Sequence, residues 1–89
     1  MGTTVSTIVI SYDIDTQHSQ VKDKMKELGY SESFSFKGQT KDYYLPNTTL
    51  WHSNKSSDAA INDLKSVCKS LNVNLEKALA VLAKEFVAI

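Results

Sequence analysis

The sequence predicts a single α+β domain, and three observations carry that expectation. A β-branched run, Thr7-Ile8-Val9-Ile10, closes on Tyr12 and Asp13. Two later stretches place apolar residues at helical spacing: Val21, Met25 and Leu28, then Ala60, Ile61, Leu64, Val67, Cys68 and Leu71. Between them lie segments rich in Ser, Thr and aromatics, with period-two alternation. Periods of 3.6 and 2 distinguish amphipathic helices from half-buried strands. The elements follow as strand, helix, strand, strand, helix and tail.

The first strand spans about Val5 to Asp13. Val and Ile suit a pleated surface, and the run offers water no polar face, so it reads as a strand buried on both sides. It stops at two acids, Asp13 and Asp15, and a helix follows. In open sheets, ligands and catalytic groups gather where a strand's carboxyl end feeds a helix. Asp13 is therefore the leading candidate site residue. Asp15 and Thr16 are suitable N-caps, because short oxygen side chains satisfy orphan helix amides. The first helix then runs from about Gln17 to Leu28, with Lys22, Asp23, Lys24, Lys26 and Glu27 on its remaining faces. Gly29 closes it as a left-handed C-terminal cap.

Phe34 and Phe36 alternate with Ser and Lys within Tyr30–Lys37, the pattern of a half-buried second strand. Gly38 to Asp42 is turn chemistry, and Tyr43-Tyr44-Leu45 extend the strand before Pro46-Asn47 turns the chain. A third strand covers Thr48 to Ser53. Asn54 to Asp58 is a polar break with Ser57 as N-cap of the second helix, which ends near Asn72. In the tail, Leu75, Leu79, Leu82, Phe86 and Ile89 fit a helical stripe, while Leu79-Ala80-Val81-Leu82 fits a short buried strand. With the tail as a strand, the order becomes ferredoxin-like (βαββαβ): an antiparallel sheet with both helices on one face and the first and third strands central.

At 89 residues the chain makes one domain with a modest core and no deep cleft. Formal net charge is zero, and all ten basic residues are Lys. Without the planar fork of Arg, sequence-specific base reading is not expected, and only weak backbone contact is left to Lys. The single Cys68 excludes an internal disulfide and any multi-Cys metal site, and suits a reducing, cytoplasmic setting. No run approaches the roughly 18 apolar residues of a membrane span.

Ile10-Ser11-Tyr12-Asp13-Ile14, followed by a helix, a strand carrying Thr49-Leu50-Trp51 and a Ser/Lys-rich break into a second helix, resembles the small CRISPR-associated endonuclease and integration-subunit proteins and their stand-alone SinR-like relatives. The resemblance spans nearly the whole chain by order of elements, and Tyr-Asp-Ile is its one sharp motif. It implies a strand from Ala78 to Ala83, a symmetric homodimer, and an aspartate at the first strand's end that holds a divalent metal between subunits. The matching position is Asp13. Two carboxylates brought together by a two-fold axis would suit Mg²⁺, which favours oxygen ligands and takes others from phosphate and water. The chain departs from the family in lacking Arg after the first strand and in offering Lys37 alone on the second.

Each candidate has a plainer structural reading. Asp13 could bond loop amides or cap the first helix, and Asp15 reads best as an N-cap. His18 and His52 are candidate general bases, because imidazole is the side chain type suited to proton transfer near neutral pH, although an exposed first-turn His is common. Trp51, Phe34, Phe36, Tyr43 and Tyr44 could stack on bases, but lack interleaved basic residues. Core or dimer packing is the expectation for the Phe and Trp, and interface contact for the two Tyr. Cys68 lies on the apolar stripe of the second helix and reads as a small buried hydrophobe. The expectation is a homodimeric interaction module with no cofactor, contacting nucleic acid weakly or a protein partner. Two alternatives are a metal-dependent endonuclease built on Asp13 with Mg²⁺, and a protein-binding regulator or antitoxin.

Overall fold

The computed structural model describes residues 2–34 and 42–83. Within them the chain is a mixed α+β domain with two helices and a three-stranded antiparallel sheet. The strands are β1 (Ser6–Ile14), β2 (Ser33–Phe34), β3 (Tyr43–Tyr44), β4 (Thr49–Lys55) and β5 (Leu75–Leu82). The helices are α1 (His18–Glu27) and α2 (Ser57–Ser70). The sheet order is β4-β1-β5, and β2 and β3 form a separate short pair.

β1 is central because its period-two pattern offers one apolar face along its whole length. Ile8, Ile10, Tyr12 and Ile14 are buried, whereas Thr7, Val9 and Ser11 are half-buried and Asp13 is exposed. The strand is thus buried on one face only, which corrects the two-sided reading. Leu50 of β4 and Ala80 of β5 flank Ile10 on that face. Val21 and Met25 of α1, and Ala60, Leu64, Val67 and Cys68 of α2, complete a single core cluster against it. Both helices therefore cover the same side of the sheet.

The third strand was expected at the centre, but β4 is an edge of this sheet. Its outer side meets Ser31 in one isolated bridge, where the Ser31 amide donates to the Trp51 carbonyl at 2.8 Å and the Trp51 amide to the Ser31 carbonyl at 3.0 Å. The second strand begins at Ser33 rather than Tyr30, and its expected continuation through Phe36 and Lys37 lies outside the described residues. Tyr30 is not part of it: its ring is buried and its hydroxyl donates to Asp63 Oδ2 at 2.8 Å. The tail is a strand, Leu75–Leu82, beginning earlier than the expected Ala78. Pairing with β1 decides what local pattern left open.

The helix ends also differ in detail. Asp15 and Thr16 do not cap α1; the N-cap is Gln17, in the left-handed region at φ 56°, with no side-chain capping bond. Its side chain instead donates from Nε2 to the carbonyl of Leu71, the C-cap of α2, at 3.0 Å. α2 is capped by Ser56 rather than Ser57: Ser56 Oγ accepts from the Ala59 amide at 3.2 Å. Both helices close with the same paired hydrogen bonds. After α1, Tyr30 N–H donates to Met25 and Gly29 N–H to Lys26; after α2, Val73 N–H donates to Cys68 and Asn72 N–H to Lys69.

Gly29 and Asn72 occupy the left-handed cap positions at φ 97° and 56°. A Cβ at Gly29 would meet His52 Nε2 at 2.8 Å, so glycine is required there twice over. Asn72 is exposed and carries the cost of a side chain in that region. Asn72→Gly is expected to raise stability by several tenths of a kcal/mol to about 1 kcal/mol, read as a higher urea midpoint with unchanged slope.

Candidate functional site

Asp13 stands on the sheet face opposite the helices, the last residue of β1 before its pairing with β5 becomes irregular. Alternation places it in line with Val9 and Ser11. Lys77 lies directly across from it on β5, and Leu79 across from Ser11. Ser11 Oγ and Thr49 Oγ1 share a hydrogen bond of 3.0 Å, which fixes the serine towards β4. The result is an open depression of about 280 Å³ lined by Ser11, Tyr12, Asp13, Lys77, Ala78 and Leu79. Chemically it offers one carboxylate, one ammonium and an apolar wall.

The other acid at this strand end is directed elsewhere. The Asp15 carboxylate accepts from the Asn74 amide at 3.1 Å, tying the exit of β1 to the start of β5. The two acids are not joined in one ligand set, because β1 ends at Ile14 and simple alternation no longer links them. His18 opens α1 and is exposed. His52 sits at the far end of the sheet, where its ring meets Tyr30 edge-on at 4.9 Å and its Nδ1 accepts from the Asn54 amide. Among the described residues no group of three or more His, Cys, Asp or Glu is gathered to hold a metal ion.

The charged and aromatic candidates are engaged in structural contacts. Lys26 donates to Glu32 at 2.9 Å, and Lys22 lies 3.6 Å from the same carboxylate. The Lys26 hydrogen bond holds the Glu32 carboxyl below its ordinary range. Lys55 pairs with Asp63 at 2.9 Å, on the oxygen that accepts from Tyr30. Nothing in the sequence signals this cluster, because Tyr30 lies in the connection after α1, Lys55 ends β4 and Asp63 sits within α2. Trp51 donates from Nε1 to the Ser33 carbonyl, and Phe34 stacks on Tyr43 with ring centres 5.9 Å apart. Tyr44 is exposed. Cys68 is buried, and burial, with the Asp15 charge adding to it, pushes its thiol above the ordinary value. A thiol held protonated is a poor nucleophile.

The remaining feature is β5 itself. It has β1 on one side and no described strand on the other. Leu79, Val81 and Leu82 are 63%, 44% and 49% exposed, and residues 78–83 read Ala-Leu-Ala-Val-Leu-Ala without a charge or a proline. Natural edge strands are usually blunted by Lys, Pro or a bulge. This one has its irregularity and its charges, Glu76 and Lys77, only at its start.

No family model, no curated protein and no solved structure matches the chain. No helix among the described residues is long and apolar enough to cross a membrane. The fold and surface define a small α+β domain whose sheet is covered by helices on one face and, among the described residues, has no strand beyond β5.

Proposed function

We propose that the chain is a small homodimeric interaction module with a ferredoxin-like sheet, associating with a second copy along the free side of β5. The order β5-β1-β4, extended by the Ser31–Trp51 bridge beyond β4, supports the ferredoxin-like reading. The resemblance to CRISPR-associated integration-subunit proteins carries the same expectation of a symmetric dimer. One observation carries the function: an edge strand that is uncharged from Ala78 to Leu82 and carries three exposed large apolar side chains. Such an edge is a template for another strand, and cyclic two-fold pairing closes it without leaving a new edge to propagate.

Nucleic-acid contact is a weaker part of this reading. The chain has no Arg, and Lys22, Lys26 and Lys55 are taken up by Glu32 and Asp63. The endonuclease alternative would need Asp13 to meet a second carboxylate across a dimer axis, since Asp15 is bonded to Asn74.

Sedimentation equilibrium tests the proposal. The apparent mass should rise with concentration from 9.9 kDa towards twice that value. A Leu79→Glu/Val81→Glu double variant should stay monomeric while keeping a native circular dichroism spectrum. A wild-type chain that remains monomeric at every accessible concentration would sink the proposal.

A further inference from the structure

Resting on that homodimer reading, we propose that β5 pairs antiparallel with β5 of a second copy about a two-fold axis through Ala80, joining the two three-stranded sheets into one. The direction of the main-chain groups fixes the choice. The Ala83 amide donates to the Thr7 carbonyl at 2.9 Å, so Ala83 turns its main-chain groups towards β1. Along an antiparallel strand these groups alternate from side to side. The pairing with β1 is regular from Lys77 to Leu82. Leu79 and Val81 therefore also turn towards β1, and Ala78, Ala80 and Leu82 turn theirs to the open edge.

A two-fold axis perpendicular to the sheet keeps each side chain on its own face, so the axis must pass through a residue that meets its own copy. Centred on Ala80, all three outward residues are used at once. Ala80 exchanges hydrogen bonds with Ala80 of the partner subunit, and Ala78 with Leu82 of the partner subunit, reciprocally. On the open face Leu79 then lies beside Val81 of the partner subunit. Lys77 falls opposite a small uncharged residue at the end of the ladder.

Other centres fit less well. An axis through Ala78 or Leu79 sets Lys77 against Leu79 or Val81 and drives the ladder into the irregular start of β5. An axis through Val81 sets Leu79 beside the small Ala83 of the partner subunit instead of Val81, so less large apolar surface meets on the open face.

This register also separates the two functional alternatives. Strands stand about 4.8 Å apart and rise about 3.3 Å per residue, which places the two Asp13 carboxylates roughly 25 Å from one another. A metal shared between paired Asp13 residues is incompatible with this dimer.

The test combines sedimentation equilibrium of the wild-type full chain with oxidative cross-linking of the Leu79→Cys and Val81→Cys variants. The native Cys68 is buried and only 2% exposed, so it does not compete. Residues that face each other without exchanging hydrogen bonds lie at disulfide-compatible spacing. Mixing the two variants should give a covalent heterodimer, and neither variant alone should cross-link comparably. Ala80→Pro removes an edge amide and should weaken dimerisation by about tenfold or more while leaving the monomer folded. A wild-type dimer in which Leu79→Cys alone cross-links overturns the register and leaves the homodimer standing. A wild-type monomer overturns both.

Discussion

Ile10→Ala is expected to cost about 3–5 kcal/mol, since the residue is fully buried and its removal leaves a cavity that its neighbours fill only in part. Ile10 sits on the central strand between Leu50 and Ala80, with both helices packed over the same face. The whole domain is stable by roughly 4–13 kcal/mol at 0.05–0.15 kcal/mol per residue, so this single truncation removes a large share. Its melting temperature should fall by about 15–30 °C. Val9→Ala, one residue away on the half-buried face, should cost only about 1 kcal/mol. Urea unfolding of both variants measures the contrast. Equal losses would show that the two faces of β1 are equally packed and that the sheet is covered on both sides.

That asymmetry marks where the sequence stops being informative. Thr7, Val9 and Ser11 look as strand-forming as Ile8, Ile10 and Tyr12, because β-branched residues serve either face equally well. Which set is buried follows from where the helices dock, a non-local fact. The helices themselves were legible, since Val21 and Met25, and Ala60, Leu64, Val67 and Cys68, keep the 3.6-residue period. Leu28 shared that stripe yet is exposed, because α1 stops at Glu27 and Leu28 becomes its C-cap. Gly29 was legible for a different reason: a left-handed cap narrows the choice to very few residues.

The tail shows the opposite case. Leu75, Leu79 and Leu82 satisfy a helical stripe on paper, and alanines favour helix. In the structure Leu79 faces the open side of the sheet and Leu82 the helix side, as a strand requires. Seven paired positions with β1 outweigh a propensity difference of a few tenths of a kcal/mol per residue. The position of Asp13 at the strand's end was foreseen. The role of Asp15 was not: it reads as an N-cap, whereas its carboxylate accepts from the Asn74 amide, a bond that spans 59 residues and leaves no local trace.

Alkaline pH should unfold this domain earlier than lysine titration alone would. Burial, with Cys68 adding to it, pushes the Tyr12 hydroxyl up to about 12 from an ordinary 10.0. Burial and the hydrogen bond to Asp63 push Tyr30 up as well, well above the ordinary phenol value. A raised pKa means that the folded state favours the neutral phenol, so the unfolded chain loses its protons first. The stabilisation is complete below pH 10 and disappears as pH climbs from there towards 12 and beyond. For Tyr12 alone the two-unit difference corresponds to roughly 2–3 kcal/mol over that window. Tyr12→Phe should therefore flatten the fall in the urea midpoint above pH 10. Tyr30→Phe should do likewise while costing about 1 kcal/mol at neutral pH, since Asp63 keeps Lys55 as its partner. Tyrosinate absorbance followed alongside unfolding supplies the direct check. If Tyr12 ionises near pH 10 in the folded protein, its hydroxyl is reached by water and the helices do not seal that end of β1.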